Sequence, residues 1–264
     1  MRNIVLKVAY DGTNYHGFQR QLPLTKKTLA IQNVLEEKLQ KIFGEKIELA
    51  AAGRTDAGVH ALGQVVNFHT NGTIPVDKIV IAASGLLPDD IVVTDAWEAD
   101  ENFSARHSAK SKIYTYSILT GLVSNPFLNR YAWHIRYPLN VEAMREALDL
   151  LVGQHDFSAF RAAGGAPMSP VRTIINAELR IKNSKLGTTN SDSVFCILHS
   201  ELLIKIHANG FLYHMARNIV GSLVSVGRGR FTVEDFKRVF ESLDRNQAAP
   251  TAPPHGLCLY EVFY

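Results

Sequence analysis

The chain has 264 residues, 46% of them hydrophobic and 20% charged, with a formal net charge of +3. That length supports one large or two small hydrophobic cores, and the even mixture excludes disordered, collagenous and membrane-embedded polypeptides. A mild positive balance admits a polyanionic partner without demanding one, so the placement of the cations matters more than their sum.

Asn3–Tyr10 reads as a strand with Ile4, Leu6 and Val8 on one face, followed by a turn at Asp11-Gly12-Thr13-Asn14. Tyr15–Gln21, rich in aromatic and hydrogen-bonding groups and without packing periodicity, reads as an exposed loop. Thr28 is placed to cap a helix carrying Ile31, Val34, Leu35, Leu39 and Ile42, which Gly44 ends. Lys46–Ala52 and Leu62–Thr70 read as strands, Pro75–Leu87 as a helix, and Ile91–Trp97 as a strand closing a first half at residue 101. Residues 102–111 form a basic connector. The second half, 112–264, repeats the order, with strands at Lys112–Leu119, Val171–Ile181 and Val194–Ala208, the last two joined by a turn with Gly187, Asn190 and Asp192. Helices follow at Val141–Val152, Phe211–Val226 and Val233–Leu243, and a strand at Leu257–Phe263 ends the chain. Two β-α-β-β-α-β units predict an α+β fold of two ferredoxin-like halves, with antiparallel sheets meeting at a central cleft.

The most unusual stretch is Gly53-Arg54-Thr55-Asp56-Ala57-Gly58-Val59-His60-Ala61. It spends nine residues where two would turn a hairpin, and it places one permanent cation two residues from one carboxylate. Either Asp56 bonds its own backbone in an ordinary turn, or Arg54 holds it ionised in a partly desolvated cleft as nucleophile or base. In the connector, Arg106, His107, Lys110 and Lys112 follow Phe103 with no acidic residue after Glu101. That pattern fits a solvated linker or a phosphate-contacting strip bracketed by Phe103 and Tyr114. On the Phe211–Val226 helix, Leu212, Met215, Ala216, Ile219, Val220, Leu223 and Val224 form one apolar stripe. Arg217 stands at its margin and His214, Asn218 and Gly221 lie towards the other face. Arg217 is then either a structural ion pair or a guanidinium reaching the cleft.

Other chemistries find no support. His199-Ser200-Glu201 lacks the Pro-Cys-x-x-Cys that would complete a deaminase zinc site, and there is no phosphate-cradling loop, dinucleotide fingerprint or Gly-x-Ser-x-Gly elbow. The expectation is a reaction without metal or cofactor. Met1–Tyr10, with Arg2 and Lys7, does not read as a secretory leader, and no run approaches the ~20 apolar residues of a membrane span. Cys196 and Cys258 form no Cys-x-x-Cys pair, which predicts free thiols and a cytoplasmic location.

The nine-residue string resembles the catalytic signature of the bacterial tRNA pseudouridine synthase A family, and the similarity extends over nearly the whole chain. Tyr10-Asp11-Gly12-Thr13 through Gly17-Phe18-Gln19 resembles the family's N-terminal motif, with Phe18 where Trp is common. Phe103-Ser104-Ala105-Arg106 with Tyr114-Thr115-Tyr116 resembles its central segment. His155–Arg161, Ser169–Ile174, Gly210–Asn218 and Thr251–Leu257 resemble four further blocks, while Ala162–Met168 departs from the polar residues usual there. The resemblance implies isomerisation of uridine to pseudouridine in the anticodon stem-loop of tRNA by a homodimer, after the target nucleotide is flipped out. It implies Asp56 as the catalytic residue, Tyr114 against the target base, and Arg54 and Arg217 as substrate-binding cations; Arg20, Arg106, Lys110 and Lys112 are candidate RNA contacts. A non-catalytic tRNA-binding protein and a small-molecule enzyme are the competing classes.

Overall fold

The computed structural model of the chain describes residues 1–21, 29–165, 168–183 and 200–264. In chain order the elements are β1 (Arg2–Tyr10), α1 (Ile31–Phe43), β2 (Ala50–Ala51), β3 (His60–Thr70), α2 (Val76–Ser84), β4 (Ile91–Ala99), β5 (Ser111–Thr120), β6 (Trp133–Ile135), α3 (Val141–Asp149), β7 (Gly153–Asp156), β8 (Val171–Asn183), β9 (Ser200–Ala208), α4 (Met215–Gly227), α5 (Val233–Glu241) and β10 (Leu257–Phe263). The proposed Thr28 cap, Cys196, His199, the turn with Gly187, Asn190 and Asp192, residues 194–199 of the expected strand, and Ala166 and Pro167 of the divergent loop lie outside the described residues.

Contacts divide the chain into two compact units, Met1–Lys112 with Cys258–Tyr264, and Ile113–Leu257. In the first unit β1 pairs antiparallel with both β3 and β4, and β2 pairs antiparallel with β3. The resulting order β4-β1-β3-β2, with α1 and α2 as the two crossovers, is the α+β ferredoxin-like arrangement. β10 lies alongside β3 in parallel, Cys258 opposite His60 and Leu259 opposite Ala61. The strand that ends the sequence's second half therefore completes the first unit. A parallel pair needs a long connection, and the whole second unit supplies it.

The interior of β1 is apolar on both faces, since Ile4, Val5 and Leu6 are all fully buried. One reason is that the connector is folded rather than solvated. Val5, Ala52, Val65 and Ala105 form a small core, and Trp97, Phe103, Val262 and Tyr264 pack against it. Two buried asparagines hold the connector there. Asn3 Nδ2 donates to the carbonyls of Asp100 and Phe103, and Asn67 Nδ2 donates to Asn3 Oδ1 while its Oδ1 accepts from Ala105 N. Phe103 packs against Tyr264 at a tilt, with centroids 4.9 Å apart, so its ring serves the core. Arg106, His107 and Lys110 stay exposed.

In the second unit the order is β5-β9-β8-β7, with β6 parallel to β5. β8 pairs antiparallel with β9 and β7. Short β6 and β7, lacking any alternation of their own, escape a periodicity reading. The core is aromatic: Phe157 and Phe160 pack on Phe240 at 5.3 and 5.7 Å, and Phe160 on Phe236 at 5.7 Å.

Several expected boundaries move. β2 is two residues rather than the seven expected, because most of Lys46–Ala52 pairs with nothing in the sheet. Tyr15–Gln21 is a loop with His16, Gln19, Arg20 and Gln21 exposed as expected, but Tyr15 and Phe18 are buried. α4 starts at Met215 rather than Phe211 because His214 has φ of 59°, a left-handed conformation that no helix continues through. Asn218 and Gly221, expected on an open face, are also buried. The segment before β10 covers them: a Cβ on Gly221 would stand 2.0 Å from the Pro250 carbonyl oxygen.

Candidate active site

The nine-residue loop is held from beneath by the strands that flank it and by the N-terminal segment. Ala52 N donates to Val65 O at 2.8 Å and Gln64 Nε2 to Gly53 O at 2.8 Å. The Tyr10 hydroxyl bonds Thr55 Oγ1 at 2.7 Å, with both residues buried. Burial, the largest influence, raises the Tyr10 phenol well above its ordinary range despite its hydrogen bonds to Thr55 and Gln64. Tyr10 and Gln64 thus link Gly53 to Thr55, the two neighbours of Arg54.

A second set of bonds comes from the segment after β1. Phe18 N donates to Thr55 O at 3.0 Å, Gly58 N to Tyr15 O at 3.3 Å, and Gly12 N to His60 Nδ1 at 3.1 Å. Two glycines make this approach possible. A Cβ at Gly12 would stand 2.0 Å from Val59 O, and one at Gly17, where φ is +85°, 2.6 Å from Thr55 O. The Tyr10–Phe18 segment is therefore the bed of the loop. Within the loop, Val59 N donates to Asp56 O at 3.1 Å and closes a turn.

The consequence is an alternation of burial. Thr55 and Val59 point inward, whereas Arg54 is exposed and Asp56 half-buried. Thr55 is anchored inward, while its charged neighbours Arg54 and Asp56 keep exposed and half-exposed positions. The sequence shows Arg-x-Asp; the buried hydroxyl between them makes the spacing useful.

Glu36 on α1 is a buried carboxylate that ties the segment after β1 to the stretch leading into the loop. It accepts from Arg20 Nη1 at 3.1 Å, Gln32 Nε2 at 2.8 Å and Leu49 N at 3.0 Å. Arg20, a candidate RNA contact, thus has its guanidinium on Glu36. Lys112 also turns inward, its Nζ donating to Ala52 O. Burial, and secondarily the charge of Arg106, pushes its ammonium down to about 8. Of the four candidate RNA contacts, Arg20, Arg106 and Lys110 are exposed, the last two on the connector.

Tyr114 and Arg217 belong to the second unit. Tyr114, on β5, is buried, with its ring 4.7 Å from Phe211 in an edge-to-face contact. Arg217, on the first turn of α4, is half-buried, and its Nε donates to Ala252 O at 2.8 Å while Ala252 N donates to Arg217 O at 3.1 Å. This reciprocal pair sets the guanidinium's root. Next to it, buried Asn218 donates to Phe160 O and accepts from Thr251 Oγ1 at 2.6 Å and Arg245 Nη2 at 3.1 Å. Tyr116 reaches the same closing segment through its hydroxyl, which donates to Pro253 O at 2.8 Å.

The supporting residues Tyr10, Gln64, Asn67 and Asn218 carry no assigned role in the sequence reading. One signal was present: Gln64 and Asn67 are polar interruptions of an otherwise apolar strand, which is where a buried amide with a bonding task is expected. Cys258 is a free thiol, pushed up to about 12 by burial. Among the described residues no group of three or more His, Cys, Asp or Glu is arranged to hold a metal, and no helix is long and apolar enough to cross a membrane.

Comparison with known proteins joins these two descriptions. The family model described as tRNA pseudouridine synthase matches residues 7–108 and 147–264, which include the loop, its bed, Arg217 and the closing segment. The chain belongs to the tRNA pseudouridine synthase family. Members of this family are isomerases. The tRNA pseudouridine synthase A of Thermoanaerobacter sp. (strain X514) is 44% identical over 264 residues, covering 100% of both chains. That of Caldicellulosiruptor saccharolyticus is 43% identical over the same length, with 100% of both chains covered. That of Latilactobacillus sakei subsp. sakei is 42% identical over 258 residues, 97% of this chain and 96% of the relative. Membership is therefore carried along the full length and does not depend on the signature alone.

Proposed function

We propose that this chain isomerises uridine to pseudouridine in the anticodon stem-loop of tRNA, with Asp56 as its catalytic carboxylate. The observation that carries the reading is the clamped loop: a buried Thr55 stands between exposed Arg54 and half-buried Asp56 in a member of the tRNA pseudouridine synthase family. The reaction has a simple balance. The bond from N1 to the sugar breaks, the uracil turns, C5 bonds to the anomeric carbon, and the C5 hydrogen leaves as a proton while N1 gains one. Such a rearrangement calls for an ionised carboxylate at the sugar, whether it attacks the anomeric carbon or removes a sugar proton.

The target base must leave its stack, at a cost of about a few kcal/mol. Tyr114 is proposed to lie against the extruded uracil and Arg217 to meet the same nucleotide through its guanidinium. Arg20, Arg106 and Lys110 are proposed to contact RNA phosphates, and the reading places the enzyme in the cytoplasm. The deciding experiment maps pseudouridine in tRNA incubated with the purified protein. New pseudouridine in the anticodon stem-loop is expected. Binding should also weaken steeply with salt, since each phosphate contact releases a counterion and adds about 0.9 to the slope of log affinity against log salt. Binding without any carbon-linked nucleoside would instead indicate a non-catalytic tRNA-binding protein.

The same reading implies a homodimer. Leu122, Val123 and Phe127 favour it, because they are 76%, 54% and 87% exposed within one short stretch of the second unit. Light scattering of the purified protein should give twice the chain mass, and a monomer would remove this part of the proposal.

A further inference from the structure

We infer that Lys112 is a positioning residue of the Asp56 loop and not a contact for RNA phosphate; the inference rests on the reading of Asp56 as the catalytic carboxylate. Lys112 lies at the start of β5 and belongs to the first unit, where its Nζ donates to the carbonyl of Ala52. The next carbonyl, that of Gly53, is taken by Gln64 Nε2. Both carbonyls that precede Arg54 are therefore held by side chains, one from β3 and one from β5.

The contact also fixes the loop sterically. A Cβ on Gly53 would stand 3.1 Å from Lys112 Nζ, so the backbone and the amine are close neighbours and a methyl there would displace the amine by a few tenths of an ångström. Gly53 has no left-handed φ, so its smallness, and not its flexibility, is what the position uses. A hydrated, mobile ammonium suits phosphate contact. Lys112 is instead half-buried, with its ammonium held on one backbone oxygen. Its lowered proton affinity agrees with that burial. Holding the root of the loop sets where Asp56 stands relative to the sugar, and a displacement of about 1 Å at a reacting group costs on the order of a hundredfold in rate.

The test is steady-state kinetics on tRNA. Lys112→Met is expected to lower kcat about 10- to 100-fold with KM within about threefold of the parent, the split expected when alignment and not binding is lost. Lys112→Gln, which keeps an N–H donor on a neutral arm, should recover part of kcat. Gly53→Ala, which pushes a methyl against Nζ, should lower kcat on its own. Combined with Lys112→Met it should cost no more than the larger single effect, because both act through one contact. A raised KM with unchanged kcat and a salt slope reduced by about 1 would overturn the inference and make Lys112 a phosphate contact. Additive effects, or no recovery by Lys112→Gln, would overturn it too. Should Lys112→Met not fold, Lys112→Gln and Gly53→Ala decide by the same criteria. A parent protein that makes no pseudouridine removes the functional reading itself, whereas a working parent with an indifferent Lys112→Met variant removes only this inference.

Discussion

Asp56→Asn is expected to leave a folded protein that binds tRNA and makes no pseudouridine. Asparagine matches aspartate in shape but carries no charge, so it can neither attack the anomeric carbon nor take a proton from the sugar. The clamps on the loop run through Gly53, Thr55, Gly58 and the backbone carbonyl of Asp56, all of which the substitution leaves in place. Loss of turnover should therefore reflect chemistry. Removing a group that takes part directly in bond-making typically costs on the order of 10⁴-fold in kcat or more. Release of tritium from C5-labelled uridine in tRNA reads this directly, with filter binding for affinity in parallel. Affinity should stay within about threefold, because the phosphates are met by cations. A variant that still releases tritium would remove Asp56 from the catalytic role. One that melts early and binds poorly would return it to the ordinary turn residue that Asp so often is.

The largest stability effect is expected at Asn67. Its Nδ2 donates to Asn3 Oδ1 at 2.9 Å and its Oδ1 accepts from Ala105 N at 2.9 Å, all within the layer where the connector covers the sheet. Asn67→Ala deletes both bonds, together with a longer one of 3.4 Å from Nδ2 to the Phe103 carbonyl, and strands two buried polar groups, Asn3 Oδ1 and Ala105 N. Each group left without a partner costs about 1–3 kcal/mol, so a loss of about 3 kcal/mol is expected. For a chain of this size that corresponds to a fall in melting temperature of about 6–12 °C. Asn67→Asp keeps the acceptor for Ala105 N and loses the donor to Asn3, so it should not be neutral either. A calorimetric scan in which Asn67→Ala melts within about 1 °C of the parent would show that the connector is not held by this residue. In that event the exposure of Arg106 and Lys110 on a rigid turn would need another cause.

Some of this protein is written locally and some is not. The helix–strand order of the first half, the Gly-rich loop between two strands, and the cap at Gly44 follow from periodicity and backbone preference, and the sequence alone determined them. Gly44 adopts φ of 69° and ends α1 as its lack of a Cβ allows. Asp56 and Arg54 stood out because two charges in a loop far longer than its turn requires are a local anomaly. Only the tertiary structure decided what surrounds them. Tyr15 and Phe18 looked like loop residues because the surface that buries them, the underside of the loop at Thr55–Gly58, is about forty positions further along the chain. Lys112 looked like an available cation, yet the Ala52 carbonyl engages it, and exposed Arg20 has one guanidinium nitrogen on Glu36. β10, read as the end of the second half, pairs with β3 across nearly two hundred residues of sequence. Periodicity records which face of an element is buried and is silent about what buries it. The partner of a hydrogen bond or a sheet edge is a long-range choice, made when separated segments pack together.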